Sequence, residues 1–395
     1  MKKRVLILNG NSRVIQRAKS LDLEVVILQR ENSPLNKKEL SKADYYLEVD
    51  YHNTDLLFST VSSFLNKYPV DSIISFSEDA LLPTVLLQEK FNMPTNSLQT
   101  VLLLKNKNMM RDYLNKRNFS RVEFQIGTSK QDIINFIEIN KCSIILKSLH
   151  GTGSEGILKI NSIRELIKFD PWIRKFKIKE FLIEEFLDGV EVSVEAFSFK
   201  GKHSIIGITD KIVGENFIEF GHSVPTMLKN DTVSKVKRFT EKFLNHINLQ
   251  FGPSHTEIKL TKNGPKIIES HNRPGGDGIV HLHKLVFGVD VVYWTLSAIK
   301  EGREMIEYEK HTCGGAAVRF LDLPAASKVK VVSSMEHLNQ DSIYRYEINV
   351  KTGDMIKVVE KSRDRLGYVI AKGKSPQDAI EICEHAIDQL GIQLE

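Results

Sequence analysis

The stretch His255-Thr256-Glu257-Ile258-Lys259-Leu260-Thr261-Lys262-Asn263-Gly264-Pro265-Lys266-Ile267-Ile268-Glu269 limits the fold most. It alternates, turns at Lys-Asn-Gly and returns, which reads as a β-hairpin. With a three-residue loop over 262–264, Glu257 falls opposite Glu269 and Ile258 opposite Ile268. The isoleucines then share a core face and the carboxylates the other. A two-residue turn would instead part the carboxylates onto opposite faces. Like charges set opposite one another destabilise a sheet. A divalent cation is the natural compensation, since Mg²⁺ favours one or two carboxylates plus phosphate oxygens. The plainer alternative is two glutamates on a solvated face. The next residues, Ser270-His271-Asn272-Arg273-Pro274-Gly275-Gly276-Asp277-Gly278, favour a site. An arginine four residues after a carboxylate can clamp a phosphoryl or carboxylate oxygen, and paired glycines leave backbone amides free for an anion.

Upstream, Ile144–Lys147, a small-residue loop through Gly151-Thr152-Gly153-Ser154-Glu155-Gly156, and Ile157–Ile160 read as strand, loop and strand. Glycines let N–H groups approach a polyphosphate, and a lysine at the strand end meets its charge. It is not a Walker A loop, because no GK[ST] follows; an ordinary hairpin loop is the alternative. At the N-terminus, apolar runs Val5–Leu8, Val25–Leu28 and Ser72–Phe76 alternate with helical patterns, including Val14–Leu21. They predict βαβ units, a parallel sheet and a ligand crevice at its C-terminal edge. The loop Asn9-Gly10-Asn11-Ser12 is like a phosphate cradle but lacks GxGxxG. The turn-rich 92–96 closes this unit. Further on, the pattern predicts a helix Lys105–Arg117, with Met109, Met110, Tyr113 and Leu114 on one side. A capping box Ser129–Asp132 follows, before Ile133, Ile134 and Ile137. Strands are expected at Lys179–Phe186 and Val190–Phe199. An amphipathic helix Asp231–Ile247 turns Val233, Val236, Phe239, Phe243 and Ile247 inward. The tail from about Met305 reads as strands closed by a helix from Ser375-Pro376 to Gly391.

Composition narrows the classes. At roughly 100–200 residues per domain, 395 residues predict two to four domains. With 55 Lys+Arg against 50 Asp+Glu and no basic block, no nucleic-acid partner is expected. The apolar runs are too short to span a bilayer. Three scattered cysteines exclude a disulfide framework or CxxC zinc site, and Met1–Leu8 lacks a signal-peptide core. A cytoplasmic protein is expected.

Taken together these residues resemble the ATP-grasp superfamily, and within it the bacterial L-amino-acid ligases (dipeptide synthetases). The resemblance covers nearly the whole chain and is strongest between Lys107 and Gly278. It implies two α+β lobes holding ATP, behind an N-terminal parallel-sheet α/β domain and beside a C-terminal α+β domain. The implied boundaries are 1–97, 98–186, 187–304 and 305–395. Lys107 and Lys147 match the two nucleotide-binding lysines, and the loop with Gly153 and Ser154 matches the one closing over the phosphates. Ile183-Glu184-Glu185-Phe186-Leu187-Asp188-Gly189-Val190-Glu191 resembles the adenine hinge, with Glu184, Glu185, Phe186 and Leu187 at the base and Glu191 at the ribose. Lys211 is a further phosphate candidate. Glu257 and Glu269 match the metal carboxylates, and Arg273, with Lys147, the catalytic cations.

Glu219-Phe220-Gly221-His222-Ser223-Val224-Pro225 resembles the segment facing the substrate's amino end. Glu219, His222, Arg273, Gly275 and Gly276 are therefore implied in substrate binding. In an extended segment Glu219 and His222 would face opposite ways, so a bend at Gly221 is expected. One position departs from the family's Glu-x-Asn-x-Arg: His271 holds the middle place and Asn272 follows. Three alternatives stand: His271 ligates a softer ion such as Mn²⁺, Asn272 substitutes through a bulge, or only carboxylates and water bind. The activity implied is ATP-dependent amide formation between a carboxylate and an amine through an acyl phosphate, with ATP and Mg²⁺ (or Mn²⁺). An acyl-carrier-protein thiol or carrier-bound amine is the alternative acceptor. A nucleotide-binding regulatory protein without ligase activity is the alternative of another class. A homodimer is expected.

Overall fold

The computed structural model describes residues 2–31, 37–93, 95–149, 155–214, 216–303, 313–332 and 341–395. Its first sheet is parallel, in the order Tyr45–Glu48, Glu24–Gln29, Arg4–Leu8, Ser72–Ser75. Three of these strands are the apolar runs of the sequence. Val5 to Leu8 are wholly buried because helices cover both faces. The fourth, Tyr45–Glu48, alternates half-buried and exposed residues, as an edge strand does. The Asn9–Ser12 loop is tied into the packing. Asn11 caps the helix Ser12–Ser20, Gln29 Nε2 donates to the Gly10 carbonyl at 2.6 Å, and a Cβ on Gly10 would lie 3.0 Å from both Ile7 and Ile27.

The second sheet has four antiparallel strands, ordered Phe124–Gly127, Phe181–Glu185, Ile144–Ser148, Ile157–Ile160. Ile133 and Phe136 of helix Lys130–Asn140, behind the predicted capping box, pack on it with Trp172 and Phe181.

The third sheet is antiparallel throughout and has eight strands. They run in the order Gly264–His271, Phe251–Thr261, Val190–Phe199, Lys202–Val213, Glu219–Val224, Gly315–Phe320, Gly367–Gly373, Ile343–Ile348. One face is apolar: Val192, Val194, Ile208, Ile258 and Ile267 pack on Val236 and Phe243 of helix Asn230–His246. The opposite face is polar where Glu191, Lys211, Glu257 and Glu269 lie, and apolar where Phe197 meets Trp294 and where Val224, Ala316 and Val318 meet Leu282 and Val286.

Three packings cross the expected boundaries. Leu103 and Leu104 of helix Leu98–Lys105, with Met110 and Leu114 of Lys107–Lys116, enter the core beneath the eight-stranded sheet. These helices thus pack on the core of the second lobe; Tyr113 packs at that core's margin and Met109 is exposed. Helix Val291–Glu301 sends Val292 and Leu296 into the N-terminal core beside Ile7, Ile15 and Ile74. The C-terminal segment makes no separate main sheet: Gly315–Phe320 pairs with Glu219–Val224 and prolongs the central one. Helix Pro376–Asp388, capped by Ser375, closes a core of its own there. Among the described residues no single helix is long and apolar enough to cross a membrane. The pair Ile279–Phe287 and Val291–Glu301, bent by 75°, passes on length and composition, but its apolar residues are packed within the fold.

Asn96 joins the first unit to the second lobe. Its Nδ2 donates to Phe251 O and Asn272 Oδ1, each at 2.8 Å, and its Oδ1 accepts from the N–H groups of Gln250 (2.8 Å) and Phe251 (3.0 Å). Asn96→Ala leaves these buried groups unpaired and should lower stability by about 2–4 kcal/mol, read from the urea midpoint. Asn96→Asp, which keeps the acceptor but sets a second oxygen against Phe251 O and Asn272 Oδ1, should lose at least as much.

Candidate active site

The two inner sheets face each other across a cleft lined by Lys107, Lys147, Glu184, Glu191, Lys211, Glu219, His222, Glu257, Glu269, His271 and Arg273. Its floor is the polar face of the eight-stranded sheet. Glu257 does lie opposite Glu269, but not by the expected register. The loop is two residues, since Thr261 pairs with Gly264, and Ile258 pairs with Ile267. Ile268 is then an extra residue, a β-bulge that restores Glu269 to the side of Glu257. A second bulge, at Phe220, lies between the pairs Ile212–Gly221 and Val213–Glu219. It brings Glu219 and His222 to one side without the expected bend at Gly221. Gly221 is needed for another reason: a Cβ there would meet Arg319 Nη1 at 2.5 Å and Val318 O at 2.6 Å.

The cations and carboxylates form a linked array. Lys211 is almost wholly buried, with Nζ 2.5 Å from Glu257 Oε1, 2.8 Å from Glu191 Oε1 and 3.6 Å from Glu219 Oε1. Burial would lower its pKa, but Glu257, Glu191 and Glu219 raise it well above the usual lysine value. Burial works against the Glu257 charge, yet Lys211 and a hydrogen bond with His255 hold its carboxyl down at about 2. Burial likewise opposes the Glu269 charge, and Lys107 at 3.4 Å with His271 at 3.2 Å keeps that carboxyl well below its usual range. The second Glu191 oxygen takes Lys259 at 3.0 Å.

Across the cleft, Lys147 Nζ is 2.7 Å from Glu184 Oε2, while Arg111 Nε bonds the other Glu184 oxygen. Arg111 also donates to the carbonyls of Ile267 (2.6 Å) and Ile268 (2.7 Å), the residues at the bulge. The Glu184 carboxylate is thereby committed to two cations, and it holds Lys147 in place at the cleft. Glu185 accepts the Glu123 N–H at 3.1 Å, and Lys159 Nζ lies 3.6 Å from the Phe186 ring centre. Ile145, Ile157, Leu187 and Ile268 supply an apolar stretch of the wall. Gly153 and Ser154 lie outside the described residues.

Arg273 Nε meets Glu78 Oε2 at 3.1 Å, and the same oxygen takes His271 Nδ1 at 2.9 Å. Glu78 follows the last strand of the parallel sheet, so the C-terminal edge of that sheet supplies the carboxylate that holds Arg273 and His271. Asn272 does not. Its Nδ2 donates to Pro253 O at 2.8 Å and its Oδ1 accepts from Asn96, on the side of the strand away from Glu269. Asn272 as a metal ligand is therefore corrected; the bulge lies two residues too early to turn it inward. Gly275 N–H donates to Glu195 Oε2 at 3.2 Å, and Gly276 borders the cleft. Among the described residues no ready-made group of three His, Cys, Asp or Glu side chains stands as a metal cluster. Two opposed, ionised carboxylates fit a hard divalent cation that takes its remaining ligands from phosphate and water.

Further residues brace the cleft. His255, with Nδ1 2.5 Å from Glu195 Oε1 and Nε2 3.4 Å from Glu257 Oε1, stands two residues before Glu257. Arg111 stands one helical turn after Lys107. Those spacings could have revealed both. Glu78, Asp277 and Arg365 carry no such local signal.

Family models match the chain in order: an ATP-grasp N-terminal domain over residues 15–95, an ATP-grasp domain over 140–280, and an L-amino acid ligase C-terminal domain 2 over 319–395. The alanine–anticapsin ligase of Bacillus subtilis is 25% identical over 261 residues, covering 60% of this chain and 55% of that protein. A D-alanine–D-alanine ligase of Flavobacterium psychrophilum is 26% identical over 181 residues, covering 43% and 54%. The chain thus spans about half the length of these curated relatives. The crystal structure of L-amino acid ligase from Bacillus licheniformis superposes with a TM-score of 0.81 over 100% of this chain and 98% of that one, at 19% identity. Family models thus match ATP-grasp domains and an L-amino acid ligase C-terminal domain in order along the chain, which shares the fold of an L-amino acid ligase.

Proposed function

We propose that the chain is an ATP-dependent carboxylate–amine ligase that joins an amino acid's carboxylate to an amine, releasing ADP and phosphate. The observation that carries this reading is the opposed pair Glu257–Glu269 in one cleft with Lys107, Lys147, Lys211 and Arg273. The apolar wall from Ile145 to Ile268 suits a flat base, and the lysines suit the phosphates. Glu257 and Glu269 would hold a divalent cation, whose charge offsets that of the phosphate oxygens. The substrate carboxylate would attack the γ-phosphorus in line and expel ADP, with Lys147 and Arg273 spreading the charge that develops. The amine nitrogen would then attack the acyl carbon, phosphate would leave as the carbon–oxygen bond breaks, and the nitrogen would give up its proton to leave the amide. Glu219, in reach of a substrate ammonium, and His222, able to take a proton from the amine, would act on the substrates rather than on ATP.

Lys147→Ala and Glu269→Ala should each cut ADP release, assayed with amino-acid pairs, by about 100-fold or more while circular dichroism stays native. Full turnover in either variant would displace the nucleotide site. Because His271 bridges Glu78 and Glu269, His271→Asn should slow turnover and leave the Mg²⁺ to Mn²⁺ rate ratio unchanged. A reversal of that ratio would put the imidazole among the metal's ligands. Glu219→Ala or His222→Ala should raise KM for one amino-acid substrate severalfold with little change in KM for ATP; the opposite split would assign them to the nucleotide.

A further inference from the structure

Beside the cleft lies a second compartment, sharing Gly276, Asp277 and Ser362 with it. Three parts of the fold meet there. Arg13 comes from the first turn of the N-terminal domain's helix Ser12–Ser20, His281 from helix Ile279–Phe287, and Arg363 and Arg365 from the C-terminal segment. Asp277 is the one carboxylate among its described lining residues, and it is already held by Arg365 at 2.8 Å.

The remaining positive charge is not balanced from within. Among the described residues neither Arg13 nor Arg363 is ion-paired; Arg13 Nη2 instead donates to His281 Nε2 at 2.7 Å. Arginine can only donate, so that imidazole accepts through Nε2 and carries its proton on Nδ1. Burial, then Arg13 and Arg345, push the His281 pKa down to about 4, as a cationic neighbourhood does. Arg365 stacks on Phe320, 3.8 Å from the ring centre, and its side chain is 7% exposed. Its Nη2 serves Glu219 and Asp277, whereas its Nε is buried without a partner among the described residues. A buried donor without an acceptor is costly, and a guanidinium recognises planar or tetrahedral oxyanions.

We infer that this compartment is a specificity pocket for a substrate that carries an anionic group, carboxylate or phosphate, besides the groups that react. The inference rests on the ligase reading above. A substrate reacting near Arg273 would reach past Gly276 and place its extra charge between Arg13 and Arg363. Arg365 positions the floor by fixing Glu219 and Asp277.

Near-isosteric pairs test this on the full-length chain: L-glutamate against L-glutamine, L-aspartate against L-asparagine, and O-phospho-L-serine against L-serine. Each is offered with every common L-amino acid, with ADP release as one readout. The second is the rise in thermal midpoint that each probe causes with ADP and Mg²⁺ present. The anionic member of at least one pair should be preferred by about tenfold or more in kcat/KM and should raise the midpoint. The carboxylate and phosphate arms say which oxyanion is taken. In Arg13→Ala and in Arg363→Ala that preference should fall severalfold, through KM for the anionic member. Neutral members used equally well, or a preference untouched by both substitutions, would overturn the pocket while leaving the ligase reading intact. Midpoint rises from an anion that vanish in Arg13→Ala, with no ADP release from any pair, would uphold the pocket and sink the ligase reading. No rise and no release with any anionic probe would overturn the pocket.

Discussion

Both walls of the cleft depend on one buried guanidinium. Arg111 is 2% exposed and reaches three acceptors: the Glu184 carboxylate of the four-stranded sheet and the carbonyls of Ile267 and Ile268 in the eight-stranded one. Through Glu184 it fixes Lys147, and through the carbonyls it pins the bulge that aims Glu269. A lysine could not replace it, because one ammonium lacks the planar fork that spans acceptors on two sheets. Removing it would strand a buried carboxylate with half its compensation and leave two carbonyls without donors, a loss of several kcal/mol by the usual measure of broken buried pairs (about 3–5).

Around that strut the site is a lattice of alternating charge. Lys147 rests on Glu184, Lys211 on Glu191 and Glu257, and Lys107 on Glu269. Each lysine is held extended towards the cleft before any phosphate arrives, which spares the side-chain entropy of ordering it later. The carboxylates stay ionised because the lysines outweigh the cost of burial, so each set keeps the other charged.

Much of this was legible in the chain. Period-two alternation marked the hairpin, and apolar runs bounded by turns marked three strands of the parallel sheet. The capping box at Ser129 and the Ser375-Pro376 start were local signals and hold locally. What the sequence concealed was of two kinds. Bulges at Ile268 and Phe220 look like any apolar strand residue, yet each shifts every later side chain to the other face. Contacts such as Arg273 with Glu78, 195 residues apart, and Arg365 with Glu219, 146 apart, depend on how whole units dock. The helices over 98–116 meet the same limit: their apolar stripes are clear, but nothing local says which sheet they cover.

The hairpin's odd register bears on how such a chain can change length over time. Its turn is one residue shorter than the facing carboxylates alone would suggest, and Ile268 supplies the residue that the turn lacks. Turn and bulge are therefore alternatives: losing Ile268 would leave a regular ladder with Glu269 still facing Glu257, and a residue added within the turn would leave the strand pairs as they are. Length can thus drift at the turn and at the bulge without parting the carboxylates, and an alignment of relatives should place its gaps in this hairpin at those two points.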